Sequence, residues 1–185
     1  MKTLYCLCAC LWAMAAGPAA WGQIFGTQQG KVHFYSKTPL EDIEAVTQKA
    51  QVAFAPATGQ VSARIPMGSF EFERSLMQRH YNENYLETGK YPYGTLEAKL
   101  TEALDTKTDG IKPVQLACKL TLHGVTKDYT IPAQIEVRGG QPVRATAKFP
   151  VRLVDHNIEV PKIVIQNIAE VIDVDVNFPL EPRKK

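Results

Sequence analysis

The chain has 185 residues, a length that is typical of a single domain. Lys and Arg number 21 against 19 Asp and Glu, so the charge is nearly balanced and no surface for nucleic acid or another polyanion is indicated. The hydrophobic fraction of 45% suits a globular domain with an apolar core.

The N-terminal segment has the pattern of an export signal. Lys2 supplies a positive charge, and residues 4–20 are apolar or small. The sequence Ala20-Trp21-Gly22 places small residues at the −3 and −1 positions of a cleavage site. We therefore expect a signal peptide over residues 1–22, cleavage before Gln23, and a periplasmic or secreted protein.

Cleavage at this point determines the cysteine content. It would remove Cys6, Cys8 and Cys10 and leave Cys118, which cannot form an internal disulfide. A lipid on Cys10 is the weaker alternative, because little hydrophobic sequence precedes it. Residues 23–185 are enough to bury a sizeable core without cross-links. Cys118 lies among alternating apolar residues, so we expect a small buried hydrophobe rather than a reactive thiol.

The first elements after this segment are predicted to be strands with one helical interruption. Apolar and polar residues alternate over residues 31–35, which indicates a half-buried strand. Leu40, Ile43 and Val46 have a spacing close to that of a helix. A short helical turn is therefore predicted within residues 39–49.

Residues 69–92 predict a short strand followed by a short helix. Phe70 and Phe72 share one face of the strand, opposite two glutamates. The period then changes at Ser75. Ser75 and Gln78 have the spacing of a capping box, so we expect the helix to begin there.

The helix is predicted to carry an aromatic stripe. Met77, Tyr81 and Tyr85 recur at positions i, i+4 and i+8, so they lie along one side. Gly89 suits the left-handed position that follows a helix, and Pro92 prevents continuation. A helix of this kind needs an apolar surface against which to pack.

The second half of the chain has the clearest β pattern. Apolar and polar residues alternate over residues 114–122, 129–137, 143–153 and 172–178, and Gly139-Gly140 marks a tight hairpin. One apolar and one polar face per strand is typical of an antiparallel sheet solvated on one side. Such a sheet can close as a barrel or stack as a sandwich, and periodicity does not separate the two.

Two prolines fall inside these predicted strands. Pro132 and Pro150 cannot donate a ladder hydrogen bond, so we expect an edge, a bulge or a bend at each.

The histidines and carboxylates form no recognisable catalytic or metal-binding motif. His80 and Glu83 are three residues apart on the predicted helix, but a zinc site needs at least three protein ligands. HExxH, CxxC, GxSxG and phosphate-binding glycine motifs are absent from the sequence. We assign no catalytic residue and no metal ligand, and we expect a protein that is not an enzyme. The basic residues 183–185 would attract an anionic membrane only weakly and transiently.

Four segments resemble those of a known family. The run FEFERSLMQRHYNENYLETGKYP at residues 70–92 and LTLHGVTK at residues 120–127 are similar to the two motifs of the YceI-like polyisoprenoid-binding periplasmic proteins. TPLEDIEAV at residues 38–46 and IAEVIDVDV at residues 168–176 also resemble segments of that family, in the expected order. The resemblance covers nearly all of the chain that would follow the signal peptide.

The resemblance implies an all-β, mainly antiparallel fold: an elongated eight-stranded lipocalin-like barrel with a short helix packed against it. It also implies a carrier that holds a long-tailed isoprenoid lipid, either a polyisoprenoid or an isoprenoid quinone, and needs no other cofactor. Each buried CH₂ is worth about 0.8 kcal/mol, so a prenyl tail can bind tightly without specific chemistry. A homodimer is left open.

Candidate binding residues follow from the inward pattern and from the two motifs. The candidates for the wall of a lipid tunnel are Phe70, Phe72, Met77, Tyr81, Tyr85, Leu116, Leu120, Ile135, Phe149 and Leu153. The candidates for contact with a headgroup are Tyr91, His80 and His123, and the hydroxyls of Tyr81 and Tyr85 could also reach headgroup oxygens. The residues alone allow two alternatives: a filled barrel or sandwich that acts as an interaction module, and, less favoured, a small hydrolase or isomerase.

Overall fold

The computed structural model describes residues 22–37, 42–159 and 169–183. The predicted signal segment, except for Gly22, lies outside the described residues. The strands are β1 (Phe25–Ser36), β2 (Ile43–Ala55), β3 (Gln60–Pro66), β4 (Glu71–Phe72), β5 (Tyr93–Leu100), β6 (Gly110–Leu122), β7 (Val125–Arg138), β8 (Gln141–Arg152), β9 (Val171–Pro179) and β10 (Glu181–Pro182). Helix α1 (Ser75–His80) continues into one π-helical turn, the π turn (Tyr81–Tyr85), and short 3₁₀ turns span Met67–Ser69 and Leu153–His156.

Eight of the described strands close into an antiparallel barrel. They follow one another in the order β1, β9, β8, β7, β6, β5, β3 and β2, and β2 pairs back onto β1. The two-residue strands β4 and β10 add only to the rims, on β2 and β1. The barrel predicted from the family resemblance is confirmed, and a sandwich is excluded because the sheet has no break between β1 and β2.

Tight turns fix the register of the β6–β7 and β7–β8 hairpins. His123 and Gly124 join β6 to β7 with φ angles of 49° and 75°. Gly139 and Gly140 join β7 to β8 with φ angles of 58° and 76°. Two successive positive φ angles are the signature of the type I′ turn, which matches the twist of the strands it joins. The glycine hairpin predicted from the sequence is therefore present.

The two strand prolines lie at an internal edge, as predicted. The β7–β8 ladder ends at the pair Ala133 and Ala147, although both strands continue beyond it. Pro132 and Pro150 lie just past this end, and each remains paired on its other side, with Gln115 and Asp173 respectively. Since proline has no amide hydrogen to donate, these positions favour the separation of β7 from β8.

The helical turn predicted within residues 39–49 is wrong. Residues 38–41 lie outside the described residues, and β2 begins at Ile43. Ile43, Ala45 and Thr47 are buried whereas Glu44 is exposed, which is the alternation of a strand. Pairing with β1 along this whole segment overrides the spacing of three apolar residues.

Both predicted ends of the helix need correction. Arg74 is the N-cap residue and no side chain caps the helix, so Ser75 and Gln78 do not form a capping box. At the other end the left-handed residue is Glu87, with a φ of 42°, and not Gly89. A glutamate is strained in this conformation, so its side-chain contacts, described below, must offset the cost.

Cys118 is buried, as the sequence predicts. It is 6% exposed and its thiol donates a hydrogen bond to the carbonyl oxygen of Tyr129 over 3.4 Å. Burial raises the pKa of the thiol, which lowers the fraction of reactive thiolate at neutral pH.

Substitution of Ile131 tests the inward face of the barrel. Ile131 is 1% exposed on β7, so Ile131→Ala should lower the free energy of unfolding by about 2–5 kcal/mol. Ile111 on the neighbouring β6 is 64% exposed, and Ile111→Ala should change it by less than about 0.5 kcal/mol. Urea unfolding followed by circular dichroism measures both, and equal losses would contradict the assignment of faces.

Candidate binding cavity

Helix α1 lies at one end of the barrel, called the helix end here. The ends of β1, β3, β6 and β8 and the starts of β2, β5, β7 and β9 meet at this end, together with the segment from β3 to β5 that includes α1 and with the β6–β7 turn. Residues of the helical segment therefore meet the inner faces of the strands only at this end. The opposite end is formed by the starts of β1, β3, β6 and β8 and the ends of β2, β5, β7 and β9.

The barrel encloses an apolar cavity of about 210 Å³. Its lining extends from Leu86 and Leu153 at the helix end to Phe54 and Leu180 at the opposite end. All ten residues predicted as tunnel wall line this cavity: Phe70, Phe72, Met77, Tyr81, Tyr85, Leu116, Leu120, Ile135, Phe149 and Leu153. That these side chains contact a lipid remains a prediction.

Several lining residues were missed by the sequence analysis. They come mainly from strands whose partners could not be deduced from sequence: Val32, Phe34, Ser36, Ile43, Val52, Phe54, Ala63, Val174, Val176 and Phe178. The alternation of β1, β2 and β9 marks most of them as inward, so this signal was present in the sequence. Only the closure between β1 and β2 brings them to the same interior.

The lining is almost entirely apolar. Among the described residues that form it, none carries a charged side chain, and only Ser36, Tyr81, Tyr85 and Thr146 have polar side-chain atoms. The Ser36 hydroxyl accepts a hydrogen bond from the backbone N–H of Ala169 over 2.9 Å. A cavity with such walls favours hydrocarbon and disfavours charge.

The π turn keeps the aromatic stripe in line with the cavity. In an α-helix a residue four positions later has turned about 40° past its predecessor, because one turn takes 3.6 residues. The bond from the N–H of Leu86 to the carbonyl oxygen of Tyr81, 2.9 Å, spans five residues and winds the chain more slowly. Met77, Tyr81 and Tyr85 therefore all line the cavity, while Leu76 on the other side is 53% exposed.

Tyr81 is the centre of an aromatic cluster at the helix end. Its ring centroid lies 4.9 Å from that of Phe72, 5.9 Å from that of Phe70 and 5.9 Å from that of Phe34. The ring is nearly parallel to Phe34 and steeply inclined to the other two. Contacts on several sides hold the Tyr81 ring in one orientation.

The hydroxyl of Tyr81 is buried without a partner. The residue is 6% exposed, and no group of the described residues forms a hydrogen bond with its oxygen. Burial raises the pKa of this hydroxyl well above its usual value of about 10. An unpaired buried hydroxyl costs about 1–3 kcal/mol.

Two of the predicted headgroup residues meet at the helix end, outside the cavity. Nε2 of His123 lies 2.7 Å from a carboxylate oxygen of Glu87, and the Tyr91 ring packs edge-on against the His123 ring with centroids 4.4 Å apart. Neither Tyr91 nor His123 lines the cavity, and the third candidate, His80, does not line it either. The sequence motif thus brings Tyr91 and His123 together but leaves His80 apart on α1.

A buried histidine extends this group, and the sequence analysis did not single it out. His156 is fully buried, with its Nδ1 3.0 Å from the carbonyl oxygen of Val125 and its Nε2 3.0 Å from the Tyr129 hydroxyl. Its own carbonyl oxygen lies 3.3 Å from Nδ1 of His123. We call Glu87, Tyr91, His123, Tyr129 and His156 the histidine cluster. It ties the loop after the π turn to the β6–β7 turn and to the 3₁₀ turn that follows β8.

Comparison with protein families identifies the chain. Residues 25–180 match the model of the YceI-like domain. The chain belongs to the YceI-like family. A search of curated proteins gives no match.

Several solved structures have the same fold. A polyisoprenoid binding domain from Saccharophagus degradans, implicated in plant cell wall breakdown, is similar with a TM-score of 0.70 and 13% identity over 86% of this chain and 98% of that one. BcnA of Burkholderia cenocepacia gives a TM-score of 0.66 and 19% identity over 82% and 96%. The YCEI protein of Campylobacter jejuni gives 0.54 and 18% over 81% and 86%. These identities are low, so the similarity establishes the shared fold.

The described residues of this YceI-like protein contain no group of three or more side chains that could hold a metal ion. No helix in the described ranges is long and apolar enough to cross a membrane.

Burial of Tyr81 predicts a loss of stability at alkaline pH. Above about pH 10 the unfolded chain releases this phenolic proton while the folded chain retains it, so unfolding becomes more favourable as the pH rises. Tyr81→Phe removes the proton and should flatten this dependence. Tyr85 is only half-buried, so Tyr85→Phe should have a smaller effect. Urea unfolding at several values between pH 8 and pH 11 measures the slopes. Identical slopes for wild type and Tyr81→Phe would contradict the burial of the hydroxyl.

Proposed function

We propose that this protein is an exported, non-enzymatic carrier that holds the tail of an isoprenoid lipid, a polyisoprenoid or an isoprenoid quinone, inside its barrel. The observation that carries the proposal is the cavity itself, which spans the barrel from the helix end to the opposite end between uncharged walls. The name of the similar Saccharophagus degradans domain, a polyisoprenoid binding domain, adds support. Contact with a membrane surface would be transient, and nothing in the proposal requires a homodimer.

The volume of the cavity sets a condition on this function. About 210 Å³ exceeds the roughly 150 Å³ of an engineered apolar cavity that binds benzene, but it is below the roughly 300–1,000 Å³ of ordinary ligand pockets. A long prenyl tail would have to displace wall side chains. Met67 and Met77 line the cavity, and methionine adapts its shape more easily than branched residues do. Each CH₂ of the tail transferred from water would contribute about 0.8 kcal/mol, which offsets the cost of moving the wall side chains.

The same small volume favours a second candidate, a filled barrel used as an interaction module. In that case the interior is ordinary core, and extra volume in it would be overpacking, which costs about 1–3 kcal/mol. The two functions therefore differ in what an enlarged wall residue does to binding and to stability.

Substitution of Ala147 separates the two candidates. Ala147 on β8 lines the cavity, so Ala147→Phe should fill volume that a tail would occupy. Ala117 on β6 is exposed, so Ala117→Phe adds the same ring on the outside and serves as the matched control. Protein stripped of lipid is mixed with a radiolabelled prenyl alcohol, and retention is measured after gel filtration. If the protein is a carrier, wild type and Ala117→Phe should retain the prenyl alcohol. Ala147→Phe should bind it at least about tenfold more weakly, because a loss of about 1.4 kcal/mol in binding free energy is enough for that change.

The same three proteins are compared by urea unfolding without lipid. No retention by wild type, together with destabilisation confined to Ala147→Phe, would contradict the carrier and favour the filled barrel.

Export is tested at the N-terminus. If residues 1–22 are a cleaved signal, the protein recovered from the periplasmic or secreted fraction should begin at Gln23. Mass analysis of the N-terminal peptide measures this. A retained segment, or a lipid attached to Cys10, would contradict cleavage at Gly22.

A further inference from the structure

We infer that the Tyr81 hydroxyl is a hydrogen-bonding site inside the barrel for a neutral oxygen of the bound lipid, a carbonyl or a hydroxyl. This inference rests on the proposed lipid-binding function and narrows its ligand class. It places a polar atom of the ligand within the cavity, under the π turn, rather than at the headgroup candidates Tyr91, His80 and His123.

The structure isolates this hydroxyl from the other polar groups at the helix end. Tyr81 lines the cavity, is 6% exposed and has no hydrogen-bond partner among the described residues. Its ring is packed against three phenylalanines, so the oxygen cannot swing far to find one. The hydroxyl retains a donor and an acceptor, and a ligand oxygen would reach it as wall side chains move to admit the tail.

Three other buried or half-buried hydroxyls are already engaged. Thr47 and Ser69 are hydrogen-bonded to each other over 2.7 Å, and the Ser69 hydroxyl donates to the carbonyl oxygen of Pro66 over 2.6 Å. Ser36 accepts from the backbone of Ala169. Tyr81 is therefore the one nine-tenths-buried hydroxyl of the described cavity wall that is left to serve a ligand.

The charge of the site selects a neutral ligand group. No described residue of the lining is charged, so a phosphate or pyrophosphate placed beside Tyr81 would lose its hydration without gaining a counter-charge. His123, a headgroup candidate from the sequence motif at residues 120–127, lies outside the cavity and does not supply this counter-charge. Both of its ring nitrogens are engaged, one by Glu87 and one by the carbonyl oxygen of His156. A neutral carbonyl or hydroxyl oxygen can form a hydrogen bond with the Tyr81 hydroxyl without the loss of hydration that a charged group would suffer.

A series of three ligands with one tail tests the inference. Farnesene, farnesol and farnesyl pyrophosphate share a prenyl chain and differ in carrying no oxygen, a neutral hydroxyl and an anionic group. Each is titrated into wild type, Tyr81→Phe and the control Tyr93→Phe, as full chains stripped of co-purified lipid, and retention is measured after gel filtration. Tyr93 is 44% exposed and does not line the cavity, so the control removes a tyrosine hydroxyl outside the proposed site.

We expect Tyr81→Phe to weaken farnesol binding by roughly 2- to 12-fold, the equivalent of one neutral hydrogen bond, and to leave farnesene binding unchanged. Tyr93→Phe should leave both unchanged within about twofold. Without ligand, Tyr81→Phe should unfold at the same or a higher temperature than wild type, because it removes an unpaired buried hydroxyl. Farnesyl pyrophosphate should bind more weakly to wild type than farnesol does.

The outcomes separate this inference from the proposed function. If wild type binds none of the three, the proposed function fails. If it binds farnesene and farnesol but Tyr81→Phe weakens neither, or weakens both equally, the inference fails and the carrier function stands. A Tyr81→Phe protein that unfolds at a lower temperature without ligand would also overturn the inference, because the hydroxyl would then have a partner within the chain. Farnesyl pyrophosphate that binds as tightly as farnesol would overturn the restriction to a neutral group.

Discussion

The structure depends on the pairing of β1 with β2, which closes the sheet. A closed barrel turns every inward side chain toward one shared interior, whereas an open sheet would leave this face to be covered by something else. Eight strands enclose space for side chains or for one small ligand. Small inward residues such as Ala133, Ala145 and Ala147 decide how much of that space is left, and in this protein about 210 Å³ remains.

At the helix end the barrel is bordered by irregular structure, and the histidine cluster holds these segments together. Glu87, His123 and Asn157 are the non-glycine residues of the described chain with positive φ, and all three lie at this end. Left-handed backbone is costly for such residues. The Glu87–His123 bond and the contacts of His123 with the His156 segment offset that cost. The loops that surround the helical segment are thereby held in one arrangement while Tyr81 and Tyr85 face the cavity.

Much of this architecture could be predicted from the sequence, because alternation is a local signal. The inward sets of β6, β7 and β8 follow it closely, since one face of each strand is buried and the other is solvated. The glycine hairpin and the prolines at the internal edge could also be predicted. Glycine adopts positive φ readily, and proline has no amide hydrogen to donate. All ten wall candidates line one cavity, most of them because of strand alternation and Met77, Tyr81 and Tyr85 because of their helical spacing.

The remainder could not be predicted, because it depends on contacts between distant segments. Leu40, Ile43 and Val46 have a spacing that suits a short helix within residues 39–49, and only pairing with β1 makes residues 43–47 a strand. Glu87 takes the left-handed position in place of Gly89 because His123 and its neighbours hold it there. The closed barrel determines the volume of the interior and leaves the Tyr81 hydroxyl without a partner among the described residues. No short stretch of sequence indicates either feature.

The central claim is that the apolar interior is a place for a lipid tail rather than a solid core. The most direct test is native mass spectrometry of the folded protein, isolated without detergent from the organism that produces it, followed by mass analysis of the denatured chain. The account predicts that the folded protein is heavier by one prenyl-chain lipid per chain and that denaturation releases this lipid. Equal masses before and after denaturation, with no lipid in the organic extract, would contradict it.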